Sequence, residues 1–165
     1  MDADNLQHEL GKRSPFQSPE QEAFLNIIRT ASVLTAGFQR LFREHKLSES
    51  TYNALRILRG ATEDASSKGA RTCSQIGEHL VTQVPDVTRL VDRLEQLGFA
   101  ERVRCEHDRR VVYVRITKPG LAALEELDGP VMDLHRSQLG HMTKPELAEL
   151  SRLLVKARRA EAAER

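Results

Sequence analysis

From Ser18 onward, apolar residues return every three or four positions. Phe24, Ile27, Ile28, Ala31, Leu34, Phe38, Leu41 and Phe42 share one face, the spacing of an amphipathic helix. Ser18-Pro19-Glu20-Gln21 supplies its start: Ser as N-cap, Pro at the first helical position, Gln reaching back as in a capping box. The helix is predicted to run to His45. At 1.5 Å per residue, about 26 residues give roughly 39 Å. That is longer than a small globule needs, so part of it is expected to pack on another chain. Residues 1–17 are polar, carry no steady period, and read as a mobile arm with a short helical piece.

Ser48 opens a second predicted helix through Tyr52, Leu55, Ile57 and Leu58, and Gly60 is expected to end it. Residues 60–70, GATEDASSKGA, read as a flexible connection. Thr72-Cys73-Ser74-Gln75 repeats the capping pattern and starts a short helix through Ile76, His79 and Leu80. A break follows at Val81-Thr82-Gln83. Residues 84–98 then form a further helix, with Pro85 in its first turn and Gly98 as a left-handed stop.

Past Gly98 the period changes. Residues 100–106 and 111–117 are two short extended runs, the second (VVYVRIT) rich in β-branched side chains. Between them lies His107-Asp108-Arg109-Arg110, too charged to be core. Two strands around a basic tip, directly after a helix, make a winged hairpin. Thr117-Lys118-Pro119-Gly120 begins another helix with Leu121, Leu124, Leu127, Val131, Leu134 and Leu139 on its apolar side, and Gly129-Pro130 is expected to kink it. Thr143-Lys144-Pro145-Glu146 reads as a full capping box for a last helix bearing Leu147, Leu150, Leu153, Leu154 and Ala157. The fold class is therefore mainly α with a small β-hairpin wing: a winged helix-turn-helix flanked by long helices.

Composition limits the readings. Of 165 residues, 30% are charged, 4% are aromatic and Trp is absent, so the core must be Leu, Val, Ile and Ala. Lys plus Arg number 25 and Asp plus Glu 24, a net charge of +1. That discourages a protein that coats nucleic acid by bulk charge. The distribution is more telling. From Glu101 to Lys118, six cations (Arg102, Arg104, Arg109, Arg110, Arg115, Lys118) face three acids (Glu101, Glu106, Asp108), or +3. Residues 1–70 hold nine against nine, and residues 121–165 seven against eight. No apolar run is long enough for a bilayer, and the N-terminus has no signal-peptide core. Cys73 and Cys105 form no CxxC and fit a reducing cytoplasm. The six histidines offer no i, i+4 pair and only Cys105 with His107 has ligand spacing, so no metal and no cofactor is assigned. There is no GxSxG, P-loop, HExxH or glycine-rich nucleotide fingerprint, so no enzyme is read here.

A helix fits the major groove when its early residues are small, polar or cationic enough to reach base edges. Here these are Gln83, Pro85, Asp86, Thr88 and Arg89. Thr72 and Ser74, at the start of the preceding helix, join the candidate contact set. Arg89 could bond a guanine bidentately or hold a phosphate; its structural alternative is a surface ion pair with Asp92 or with a glutamate elsewhere. Asp86 could accept from a cytosine amino group or simply cap the helix. At the wing, Arg109 and Arg110 are placed for phosphate or minor-groove contact.

The run Thr88-Arg89-Leu90-Val91-Asp92-Arg93-Leu94-Glu95, then Gly98-Phe99, Glu101-Arg102, Asp108-x-Arg110 and Ile116-Thr117-x-x-Gly120 resembles the signature of the MarR family of transcriptional regulators. The resemblance implies a homodimer in the cytoplasm of a bacterium or archaeon. Residues 18–46 and 119–165 would be its dimerisation region, 47–118 its DNA-binding winged helix-turn-helix, and 1–17 an arm. It further implies a pseudo-palindromic double-stranded operator, usually repressed, with Arg89 in the major groove, Arg110 in the minor groove, and Asp108 steadying the wing by pairing with a cation. One departure is the acidic start Val84-Pro85-Asp86, which opposes phosphates and is expected either to shift base preference or to weaken binding.

Many relatives of this type release DNA on binding a small aromatic anion, and by position Phe38, Phe42, His45, Tyr52 and Arg56 are the candidate pocket. The alternative readings are a winged-helix protein–protein module without DNA binding, and a redox-responsive regulator acting through Cys73 or Cys105. Arg89, Arg109 and Arg110 favour DNA over the first.

Overall fold

The computed structural model describes residues 6–64, 69–105, 108 and 110–159. Its elements are α1 (Leu6–Glu9), α2 (Pro19–Glu44), α3 (Glu49–Glu63), α4 (Cys73–His79), α5 (Val87–Gln96), β1 (Ala100–Arg104), β2 (Val112–Ile116), α6 (Lys118–Leu139) and α7 (Lys144–Arg159). They fall into two compact units, Met1–Leu127 and Asp128–Arg165.

Short polar side chains set the helix starts. Ser18 accepts the Gln21 N–H, and Ser48 and Thr72 each form a reciprocal box with the third residue of the following helix, Thr51 and Gln75. At α2 the return bond differs from expectation. The Gln21 side chain takes the N–H of Gln17, not of Ser18. At α7 the Glu146 carboxylate accepts both the N–H and the hydroxyl of Thr143, so the hydroxyl is used as a donor and the box is one-sided.

Two boundaries move. The helix after Ser48 does not stop at Gly60 but continues to Glu63. Ala54, Leu55, Leu58 and Ala61 are all buried, so one continuous apolar stripe outweighs the roughly 1 kcal/mol that a helical glycine costs. The central helix begins at Val87, after Asp86, and Pro85 stands outside it. The Asp86 carboxylate accepts the Arg89 N–H at 2.9 Å, which fixes the cap there. The arm holds the short helical piece expected of it, α1, and Leu6 within it is buried, which its polar surroundings did not foretell. Of the 60–70 connection, residues 65–68 lie outside the described residues. Gly129 and Pro130 sit within α6, which stays helical through both.

In the first unit α3 packs on α2, α4, α5 and β2, and α5 also packs on α4 and β1. Leu55, Leu58, Ile76, Val91, Leu94 and Val114 are fully buried and form the centre of the core. A Cβ on Gly77 would sit 3.1 Å from Val87, so a small residue lets α4 and α5 approach. The hairpin is antiparallel, with Ala100 opposite Ile116, Arg102 opposite Val114 and Arg104 opposite Val112. Arg71 adds a bridge to Val114 from the other side, exchanging both backbone hydrogen bonds with it at 3.0 and 2.7 Å. That third strand position was not legible in the polar stretch before α4.

Candidate nucleic-acid interface

The C-terminal stop of α5 is built as the sequence suggests. Gly98 has φ +72°, and the Phe99 N–H reaches back to the Leu94 carbonyl at 2.9 Å. The chain then turns directly into β1, which places the hairpin beside α5.

At the other end, the first turn of α5 displays Thr88 and Arg89, both exposed. The Arg89 backbone is held by Asp86, but its guanidinium makes no hydrogen bond or ion pair with a described residue. Asp92, the partner expected if Arg89 were structural, is occupied elsewhere: it pairs with Arg102 at 2.7 Å. Arg93, one turn beyond Arg89, is also exposed and shares its side of the helix. Arg93 is not among the contacts predicted from sequence, although its i, i+4 spacing from Arg89 points to it.

The remaining candidates divide. Gln83 and Pro85 are exposed before the cap. Asp86 serves as N-cap, the alternative to base contact that its position allowed. Thr72 is engaged in its capping box, and the Ser74 hydroxyl donates to Glu78 at 3.1 Å. At the wing, Arg110 is exposed. Asp108 accepts the Arg110 backbone N–H at 2.9 Å, and its carbonyl accepts the Val111 N–H at 3.0 Å. Among the described residues Asp108 thus steadies the tip through main-chain bonds, not through the cation pair that the resemblance implied. Arg109 lies outside the described residues.

The +3 of the wing is not all available to a polyanion. Strand alternation puts Arg102 on the same face as Ala100, Val114 and Ile116, the buried side of the hairpin. Its guanidinium bonds both Asp92 and Glu95, and its backbone N–H donates to Glu95 at 3.0 Å. Partial burial works against its charge, but the Asp92 hydrogen bond and the Glu95 and Asp92 carboxylates outweigh that, so its pKa is raised. Arg115 stands opposite Glu101 on the outer face. Arg104, Arg110 and Lys118 are the exposed remainder that is not set against an acid across the hairpin.

Of the five aromatic-site candidates, Phe38, Phe42, Tyr52 and Arg56 are neighbours, while the His45 side chain turns to Glu126. Phe42 stacks on Tyr52 with centroids 4.3 Å apart and lies 6.0 Å from Phe38. Arg56 sits over the Tyr52 ring and donates to its hydroxyl at 3.1 Å, and His45 faces Glu126 at 3.7 Å. Phe42 is buried and forms the floor of the group. A separate open cleft of ≈ 430 Å³ lies by the start of α3, lined by Gln39, Arg43, Leu47, Ser48, Glu49, Ser50 and Thr82, and includes none of the five.

Comparison with known proteins gives a consistent outcome. The family model described as the MarR family matches residues 47–112. A curated relative, the HTH-type transcriptional repressor IacR of Pseudomonas putida, is 24% identical over 135 residues, covering 82% of this chain and 77% of that protein. The crystal structure of a MarR transcription factor from Planctomyces limnophilus is 39% identical, with TM-score 0.64, covering 85% of this chain and 98% of that one. A mutant MarR from E. coli complexed with operator DNA is 23% identical, with TM-score 0.72, covering 87% and 99%; at that identity the likeness is one of fold.

Proposed function

The chain belongs to the MarR family and is a winged-helix transcriptional regulator that binds DNA as a homodimer; we propose that it represses transcription from a pseudo-palindromic operator and is released by a small aromatic acid. The observation that carries the DNA reading is the first turn of α5. Asp86 fixes the turn, Arg102 removes Asp92 from competition, and Arg89 is left exposed with no partner among the described residues. An arginine presented this way can reach a guanine edge in the major groove. Arg93 follows it along the groove, and Arg110 at the wing supplies phosphate or minor-groove contact. Gln83 and Thr88 are the neutral residues placed to read bases. We assign no metal or cofactor, and place the protein in the cytoplasm.

The effector reading rests on Phe38 and Tyr52, which flank the buried Phe42, with the Arg56 guanidinium over the Tyr52 ring, so that a π surface and a cation are offered to an aromatic carboxylate. Both readings meet in one experiment: a gel shift with the DNA flanking the gene of this protein, over a salt series. A shift is expected that weakens with salt and is released by one of a panel of aromatic acids. Arg110→Ala should reduce the slope of log K against log salt by about 0.9 while leaving the dimer intact. No shift at low salt with any nearby inverted repeat would overturn the DNA reading; a shift that no aromatic acid releases would overturn the effector.

A further inference from the structure

We infer that Arg102 is a positioning residue for DNA binding, one that sets the wing against the recognition helix without touching DNA. The inference rests on the DNA-binding reading above and adds to it a division of labour among the wing arginines.

The argument begins with strand period. Ala100, Arg102 and Arg104 alternate onto the face that β1 turns toward the helices. Ala100 is buried, Arg104 is exposed, and Arg102 lies between them with a side chain 28% exposed. On α5, Asp92 and Glu95 are three apart and therefore share one face. Arg102 meets both carboxylates, Asp92 at 2.7 Å, and its second terminal nitrogen points to the Thr88 carbonyl at 3.4 Å. Thr88 is the residue before Arg89, so the guanidinium grips the same turn that presents the base-reading side chain. The Glu95 carboxylate also takes the Arg102 backbone N–H at 3.0 Å, which ties strand to helix at main-chain level.

A second arginine acts in parallel. Arg71 bridges Val114 on the edge of β2 away from β1, and its guanidinium pairs with Asp64, the C-cap of α3, at 2.7 Å. The buried Val114 is thus flanked by two arginines, each fastened to a carboxylate of a different helix. A hairpin of two five-residue strands has little stiffness of its own. These two struts fix its orientation, and of the two only Arg102 engages the recognition helix. With three acceptors already on its guanidinium, Arg102 is committed to the protein and not to phosphate.

The sign of an acid-neutralising substitution separates this role from a charge effect. Asp92→Asn and Glu95→Gln remove negative charge near DNA, so simple electrostatics would tighten binding. A broken strut would weaken it instead. Operator affinity should be measured by fluorescence anisotropy over a salt series for the wild type, Arg102→Gln, Arg102→Lys, Glu95→Gln and Arg110→Ala. Arg102→Gln and Glu95→Gln are each expected to lose about tenfold, the scale of one charge-assisted hydrogen bond, with unchanged salt slopes. Arg102→Lys should recover little, because one ammonium cannot span the two carboxylates and the carbonyl. Hydroxyl-radical footprints of Arg102→Gln should lose protection where the wing lies and keep it in the central major groove.

Backbone relaxation without DNA supplies a readout that survives if Arg102→Gln folds poorly: amides 112–116 should gain motion relative to α5 in Glu95→Gln. Tighter binding by Glu95→Gln, or an Arg102→Gln slope lower by about 0.9, would overturn the inference while leaving the DNA reading intact. Absence of wild-type binding to any operator would overturn both.

Discussion

Gly120 shows how one position can be decided by a neighbour distant in sequence. Thr117 donates its hydroxyl to the Gly98 carbonyl at 2.6 Å and accepts the Gly120 N–H at 3.2 Å, so it caps α6 and pins the turn after α5 together. The backbone of Phe99 is drawn in with it, its carbonyl accepting the Thr117 N–H at 3.0 Å. A Cβ on Gly120 would overlap that Phe99 carbonyl oxygen and stand 2.9 Å from Ile116 Cγ1. Gly120→Ala should therefore destabilise the fold by about 1–3 kcal/mol, the usual cost of overpacking. A urea unfolding midpoint lowered without a change of slope is the expected result; an unchanged midpoint would mean that the turn yields freely. The glycine was visible in the Ile116-Thr117-x-x-Gly120 pattern. Its reason was not, because the clash is with a backbone atom on the far side of the hairpin.

Single elements were the most legible scale, because caps and periods are settled within a turn or two. Ser18, Ser48 and Thr72 each announced a helix start that the fold contains. One error at this scale came from outside the element, since burial of Ala61 carried α3 past Gly60, and another was local, since Asp86 and not an earlier residue caps α5. The start of α7 gives a test in pH. Glu146 has its pKa lowered, first by the Thr143 N–H and then by the Thr143 hydroxyl, and Glu149 has its pKa lowered by Arg152. A carboxylate with a lowered folded pKa contributes stability above its unfolded pKa and loses it as pH falls through the folded value. Protection of the Leu147 amide, taken relative to its intrinsic exchange rate at each pH, should therefore hold near neutrality and fall only on acidification below the ordinary glutamate range. Glu146→Ala should show the lower protection near neutrality and converge with the wild type in acid. Fraying that sets in nearer neutrality would assign the cap to another group.

At the scale of the whole molecule, the apolar faces are unfinished in one chain. Phe24 is 61% exposed and Leu153 is 47% exposed, Ile27, Ile28 and Val33 are also exposed on α2, and no residue of α7 is buried. An amphipathic helix with its apolar side in water is marginal, since such helices depend on tertiary packing. A second copy supplies that packing, and with it the paired recognition helices that an inverted repeat requires. Leu153→Glu should therefore shift the protein from dimer to monomer in light scattering and weaken operator binding by at least about tenfold, because the two half-sites are no longer bound as one. A Leu153→Glu protein that stays dimeric would place the interface elsewhere. The near-neutral net charge fits this division, in which a modest cation count is offset by the geometry of two spaced helices.

The chain by itself determined the order of elements, the helix starts at Ser18, Ser48 and Thr72, the left-handed stop at Gly98 and the hairpin, since each depends on residues a few positions apart. It also singled out Arg89 and Arg110, both of which are exposed. Only the tertiary structure decided which charges are spent inside the protein. Arg102 and Arg110 look alike in sequence, both arginines of a basic hairpin. The pleat turns Arg102 toward Asp92 and Glu95, and leaves Arg110 in water at the tip. Likewise nothing local foretold that Arg71 would pair with Val114 or that Leu6 would be buried. The physical reason is range. Caps and periods are fixed by bonds within one turn, whereas the fate of a charge depends on which distant carboxylate the fold brings within 3 Å.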